Sequence, residues 1–118
     1  MPATKVMANE DLSDRLCVVL TTVETREDAI QLGKNLRSEK VCACVQIDGP
    51  ILSLFSWDGK ESEETEWRLV IKTLKANLSQ LEDCIETHHP YETPQIIALE
   101  SLFVNGAYND WALKNIKD

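Results

Sequence analysis

An α+β sandwich is the fold this sequence predicts: one antiparallel sheet of four strands with helices on one face. Three observations predict it. Four runs rich in β-branched and apolar residues read as strands. Two intervening segments repeat apolar residues at the spacing of a helix face. Turn residues alone join the middle two strands, so the order is β-α-β-β-α-β with a further short helix at the end.

Each element has a local reason. Residues 1–14 are polar and read as a frayed tail, leaving 15–118 as one domain. Leu16 to Val23 (LCVVLTTV) is a buried-strand run. Thr25 with Asp28 three residues on is a variant capping box, and Ala29, Leu32, Gly33 and Leu36 then mark a helix face running to about Lys40. Val41 to Asp48 is the second strand. Asp48-Gly49-Pro50 is expected to bulge it rather than end it, because Ile51, Ser53, Phe55 and Trp57 continue the alternation. Asp58-Gly59-Lys60 is a hairpin turn. Beyond the acidic stretch from Glu61 to Glu66, a third strand runs from about Glu66 to Thr73, with Trp67, Leu69 and Ile71 on one face and Arg68, Val70 and Lys72 on the other. Asn77 with Gln80 opens a second helix whose inner face carries Leu78, Leu81, Cys84, Ile85 and His88, and Pro90 ends it. Gln95 to Val104 is the fourth strand, and Asn105-Gly106 turns the chain into a last helix over about 107–116. This order is that of the ferredoxin-like sandwich.

Two consequences follow for assembly. The helices cover one sheet face only. The central hairpin also outruns the body: a domain of this length has a radius of gyration of about 13–14 Å, hence a diameter of roughly 35 Å. Val41 to Trp57 at roughly 3.3 Å per residue would reach over 50 Å. The arm must therefore bend sharply or pack against another subunit, and the second is expected.

Composition excludes several function classes. With 43% hydrophobic and 27% charged residues the chain is an ordinary globular protein of 118 residues. Twelve Lys and Arg against 20 Asp and Glu leave a net charge of −8, which repels phosphate backbones, so no nucleic acid partner is expected. No apolar run approaches the roughly 20 residues that span a bilayer, so no membrane is expected either. The polar N-terminus predicts neither a signal nor a transit peptide, hence a cytoplasmic location with reduced thiols. Cys17, Cys42, Cys44 and Cys84 lack paired C-x-x-C spacing and read first as small core hydrophobes. No G-x-S-x-G, Gly-rich phosphate loop or H-E-x-x-H is present, and the only two histidines are adjacent, so the chain does not read as an enzyme.

The residues with metal chemistry lie at one helix end. His88 and His89 are adjacent and point about 100° apart while helical. The residue before a proline is pushed out of the α region, so His89 can swing away from His88. Imidazole suits copper, zinc and nickel, with copper highest in the divalent affinity order. The alternative is that His88 is a polar helix terminus and His89 a dipole-favoured C-terminal cap. Cys84 and His88 are i and i+4 on one face, a spacing compatible with chelation, although the apolar neighbours of Cys84 favour burial. Cys42 and Cys44 on one strand face offer a thiophilic pair or plain core packing. Glu61, Glu63 and Glu64 read as a solvated run.

Three segments carry a resemblance: DGPILSLFSWDGK, then TEWRLVIKT, then HHPYETPQI. With Pro50, Ser53, Trp57, Gly59, Glu66, Lys72, Thr73, His89-Pro90-Tyr91-Glu92, Pro94, Tyr108 and Trp111 in this order, the chain resembles the CutA divalent-cation-tolerance family from Val18 to Trp111. The resemblance implies a ferredoxin-like homotrimer built like the PII signalling proteins, its long hairpins extending a neighbour's sheet. It also implies divalent-ion, chiefly copper, binding and tolerance. The residues themselves offer His88 and His89 as the metal ligands, their rings expected to diverge at the helix end and then reconverge on one ion. The aromatics Trp57, Tyr91, Tyr108 and Trp111, with Glu66, Lys72 and Glu92, would then line an intersubunit cleft or simply glue the interface. Departures are Phe55 where the family usually has Tyr, Gln95 where it usually has Glu, and Thr21 where copper-binding relatives carry a first-strand cysteine, which predicts weaker copper binding. A PII-like small-molecule sensor and a purely structural interaction trimer are the alternative readings.

Overall fold

The computed structural model describes residues 15–116, so the tail expected over 1–14 lies outside the described residues. In chain order the elements are β1 (Leu16–Val23), α1 (Arg26–Ser38), β2 (Cys44–Trp57), β3 (Lys60–Leu74), a single 3-10 turn (Lys75–Asn77), α2 (Leu78–His88), β4 (Ile97–Glu100) and α3 (Gly106–Lys114). The sheet order is β2-β3-β1-β4, and every neighbouring pair is antiparallel.

Local chemistry accounts for the element ends. Thr25 is the N-cap of α1, its hydroxyl accepting from the Asp28 N–H at 3.0 Å. Asp58 and Gly59 both hold positive φ between the paired residues Trp57 and Lys60, which makes the two-residue turn whose twist suits a hairpin. The register jumps from Asp48↔Arg68 to Ile51↔Glu66, so Gly49 and Pro50 together oppose Trp67. A Cβ at Gly49 would lie 2.8 Å from the Trp67 ring, and its φ of +154° adds a backbone reason for glycine.

Four expectations about extent are corrected. β2 begins at Cys44, not Val41; Val41, Cys42 and Ala43 are a buried lead-in tied by Ala43 N–H to Lys72 O at 2.8 Å. β3 begins at Lys60, because pairing with β2 carries the acidic stretch into the ladder. α2 is preceded by a 3-10 turn, and Asn77 reaches the Gln80 side chain at 2.9 Å rather than a backbone N–H. β4 is four residues, not ten. Among the described residues it pairs with β1 alone, and where β1 starts at Leu16 the ladder ends, with Ser101 Oγ donating to Leu16 O at 2.5 Å. Leu102 and Phe103 beyond it are 96% and 75% exposed.

One core lies between the helices and one sheet face: Val19, Val23, Leu69 and Ile71 against Leu32, Leu36, Leu81 and Ile85. α3 closes a smaller cluster, Ala112 and Ile116 on Leu16, Ala43 and Leu74. Among the described residues, the other sheet face, with Val18, Leu20 and Val70 half-buried and Ile97 and Leu99 exposed, has no helical layer over its centre. The molecule measures 55 × 26 × 22 Å with a radius of gyration of 15.8 Å. Among the described residues the hairpin, about 46–50 Å long at roughly 3.3 Å per residue, comes nearest to that axis in length.

Candidate functional site

Two polar clusters bracket the HHPY segment. At the first, the last turn of α2 meets the C-terminal end of α1. His88 Nε2 lies 2.9 Å from Glu39 Oε2. Cys84, one turn back, brings its Sγ into the same place: the three donor atoms all lie within 4.8 Å of one another. A surface groove of about 520 Å³ runs past Glu39 and Cys84, lined also by Lys40, Gln80, Asp83 and Thr87 among others. Burial pushes the Cys84 thiol up to about 12, helped by its hydrogen bond to Glu39 and that residue's charge. An imidazole nitrogen, a sulfur and a carboxylate oxygen form a donor set suited to zinc or copper, so these residues fit a divalent ion.

The second cluster is a chain of hydrogen bonds from β1 to the root of the arm. His89, the C-cap of α2, leaves helical geometry at φ −77°, ψ 136°, as a residue before proline should. Its ring is buried. Nδ1 accepts from Tyr91 N–H at 3.0 Å, so Nε2 carries the proton and donates to Thr22 O at 2.9 Å, with Thr21 Oγ1 3.1 Å away. Burial lowers its pKa, partly offset by the Thr22 carbonyl and the charges of Asp28 and Glu66. The Tyr91 and His89 rings lie 5.0 Å apart. Tyr91 OH donates to Glu66 Oε2 at 2.8 Å, and Ser53 Oγ donates to Glu66 Oε1 at 2.7 Å. Burial and the Glu66 carboxylate push the tyrosine pKa upward.

The two imidazoles expected to reconverge on one ion are thus held apart. His88 faces Glu39 and Cys84, whereas both nitrogens of His89 are engaged within the fold. Of the seven residues expected to form a cleft, Glu66 and Tyr91 meet directly, and Tyr108 stacks on Trp111 with centroids 5.4 Å apart. Lys72 Nζ donates to Gln46 Oε1 at 2.6 Å, Glu92 is exposed, and Trp57 stands 61% exposed at the arm's tip. Within one chain these stay in separate groups. Cys42 is fully buried in the core and outside β2, so core packing is its role. Sequence reasoning missed Glu39: it follows α1 as an ordinary polar C-cap, and nothing local to it signals a partner 49 positions away.

The model of the CutA1 divalent ion tolerance protein family matches residues 17–115, nearly the whole described chain. The chain belongs to that family. A divalent-cation tolerance protein CutA of Thermus thermophilus is 36% identical over 98 residues, covering 83% of this chain and 95% of that protein. The crystal structure of CutA1 from Oryza sativa superposes with a TM-score of 0.84 at 33% identity, covering 87% of this chain and 94% of that one. A structure from Archaeoglobus fulgidus, described as the periplasmic divalent cation tolerance protein CutA, gives 0.83 at 29% identity over 86% of this chain and 99% of its own. The four-stranded antiparallel α+β architecture is therefore that of CutA1 structures.

Proposed function

We propose that this CutA1 chain binds a divalent cation, copper foremost among them, as a homotrimer, and that His88 is the residue that commits the site to metal. The single observation that carries the reading is the Glu39–Cys84–His88 donor group at the end of α2. His89, the other ligand expected from the sequence, supports the site by holding the segment after α2 rather than by ligation. The role is binding, not catalysis. Trimerisation is supported by the uncovered face of the ferredoxin-like β2-β3-β1-β4 sheet and by exposed Leu52, Leu54 and Trp57 on the arm. Four free cysteines support a reducing, cytoplasmic setting. Native mass spectrometry of chelator-free protein tests the reading: a mass of three chains with bound ion is expected, and His88→Ala loses the ion. A metal-free wild type after Cu(II) addition would sink it.

A second reading has its own observation. The Ser53–Glu66–Tyr91 chain gives the root of the arm an organised polar surface beside a buried imidazole. With Trp57, Lys72, Glu92, Tyr108 and Trp111 brought up from other subunits, it would form a small-molecule cleft of PII-like kind. A metabolite released on denaturing the purified trimer supports this; trimer that binds only metal argues against it.

A further inference from the structure

We propose that Cys84 is a direct ligand and that the Glu39–Cys84–His88 group is a zinc-class site, taking a borderline ion through sulfur, nitrogen and oxygen and passing over calcium and magnesium. This rests on the cation-binding reading above and adds the thiolate, and with it the selectivity.

Geometry carries the argument first. Zinc sits about 2.0–2.3 Å from its N, O and S donors, which places tetrahedral donors roughly 3.6 Å apart. The observed donors lie within 4.8 Å of one another, and the His88–Glu39 pair at 2.9 Å. Closing the remainder takes about 1 Å of side-chain movement. Glu39 and His88, with side chains 50% and 29% exposed, have room to make it. Cys84 is buried but lines the groove, so an ion reaches its sulfur from solvent, and Asp83 in the same wall adds negative charge.

Helix ends are the second argument. Glu39 caps the C-terminus of α1 and His88 is the last residue of α2, so two negative dipole ends converge on the donors. An anionic side chain at a helix C-terminus is destabilised, and a cation there relieves it. Two anionic ligands, the Glu39 carboxylate and the Cys84 thiolate, balance one divalent ion. On binding, the S–H bond of Cys84 breaks, its proton leaves to buffer, and a sulfur lone pair forms the bond to the metal; no electron is transferred. Calcium and magnesium need six or more oxygens, and the site supplies one carboxylate.

Cobalt(II) serves as the optical probe for zinc. Titrating Co(II) into reduced wild type is expected to raise a sulfur-to-cobalt charge-transfer band in the near ultraviolet, bleached by equimolar Zn(II) and untouched by Mg(II). Cys84→Ser should abolish the band and weaken Zn(II) about tenfold or more, the scale already seen when a ligand's support is lost; Cys44→Ser should keep it. A band and affinity unchanged in Cys84→Ser overturn the proposal, and the wider reading stands if His88→Ala or Glu39→Gln still weakens binding. Equal binding by all three variants sinks both. Should Cys84→Ser fail to fold, wild-type protein decides: Zn(II) must slow alkylation of Cys84 relative to Cys44, peptide by peptide, and no protection overturns the proposal.

Discussion

His89 shows how much one neutral ring can hold. Its Nδ1 accepts from Tyr91 N–H and its Nε2–H donates to Thr22 O, so protonation would strip the acceptor from the part-buried Tyr91 bond. Its folded pKa is lowered by burial, while the unfolded value stays near 6.5. The unfolded state then binds the proton first, so stability from this residue is complete above about pH 6.5 and is lost as pH falls towards the folded pKa. Denaturant midpoints from pH 7.5 to 5 should therefore fall more steeply in wild type than in His89→Gln, whose amide does not titrate. Parallel profiles would show that His89 carries no part of the pH dependence. Gln at this site also leaves the Tyr91 N–H without its acceptor, at a cost of about 1–3 kcal/mol at pH 7.5. The divergence of His88 from His89 was legible in the sequence, since Pro90 dictates it. Where each ring lands was not: Glu39 and Thr22 lie 49 and 67 positions away, and only the packing of α2 on α1 and β1 decides the meeting.

The arm and the edge strand show the same division between local and non-local causes. Asp48-Gly49-Pro50 announced the bulge, and Asp58-Gly59 the turn, because both need residues with particular backbone freedom. The length of β4 was illegible, since the apolar run QIIALESLFV continues past the point where its only partner, β1, ends. Ile96 turns into the core at the other end, and the four paired residues are exposed. Likewise the acids of β3 disfavour a strand on local propensity, yet twelve paired residues of β2 draw them into one. The bulge gives a sharp prediction. Gly49→Ala places a Cβ 2.8 Å from the Trp67 ring at a φ that side chains resist, so a loss of about 1–3 kcal/mol is expected together with an altered tryptophan emission. Measured unfolding free energies equal to wild type would mean that the Trp67 ring yields without cost. Gly59, with open space around it but φ +77°, should lose less on the same substitution.

At the scale of the whole molecule, an acidic chain with no membrane-spanning helix among its described residues leaves an unusual amount of apolar surface bare. Val18, Leu20, Val70, Ile97 and Leu99 share the open sheet face, Leu102 and Phe103 are exposed just beyond β4, and Leu52, Leu54 and Trp57 stand on the arm. Among the described residues the outer edges of β2 and β4 have no strand partner, and β2 is a long edge of the kind that recruits another strand. An edge on one side and an apolar face on another make a head-to-tail contact, which either closes into a ring or runs on as a fibre. Closure at three subunits is the expectation, each arm lying over a neighbour's open face, with about 800 Å² per partner needed for a stable contact. Sedimentation equilibrium at micromolar concentration should return three times the 13.4 kDa chain mass, independent of concentration. Leu99→Glu, at the edge of that face and 49% exposed in the single chain, should shift the mass towards the monomer while leaving the single-chain core untouched. A trimer of unchanged affinity in Leu99→Glu would mean that the neighbour's arm lies elsewhere, and a 13.4 kDa wild type would end the trimer altogether. The metal reading is independent of that outcome, because Glu39, Cys84 and His88 all come from one chain.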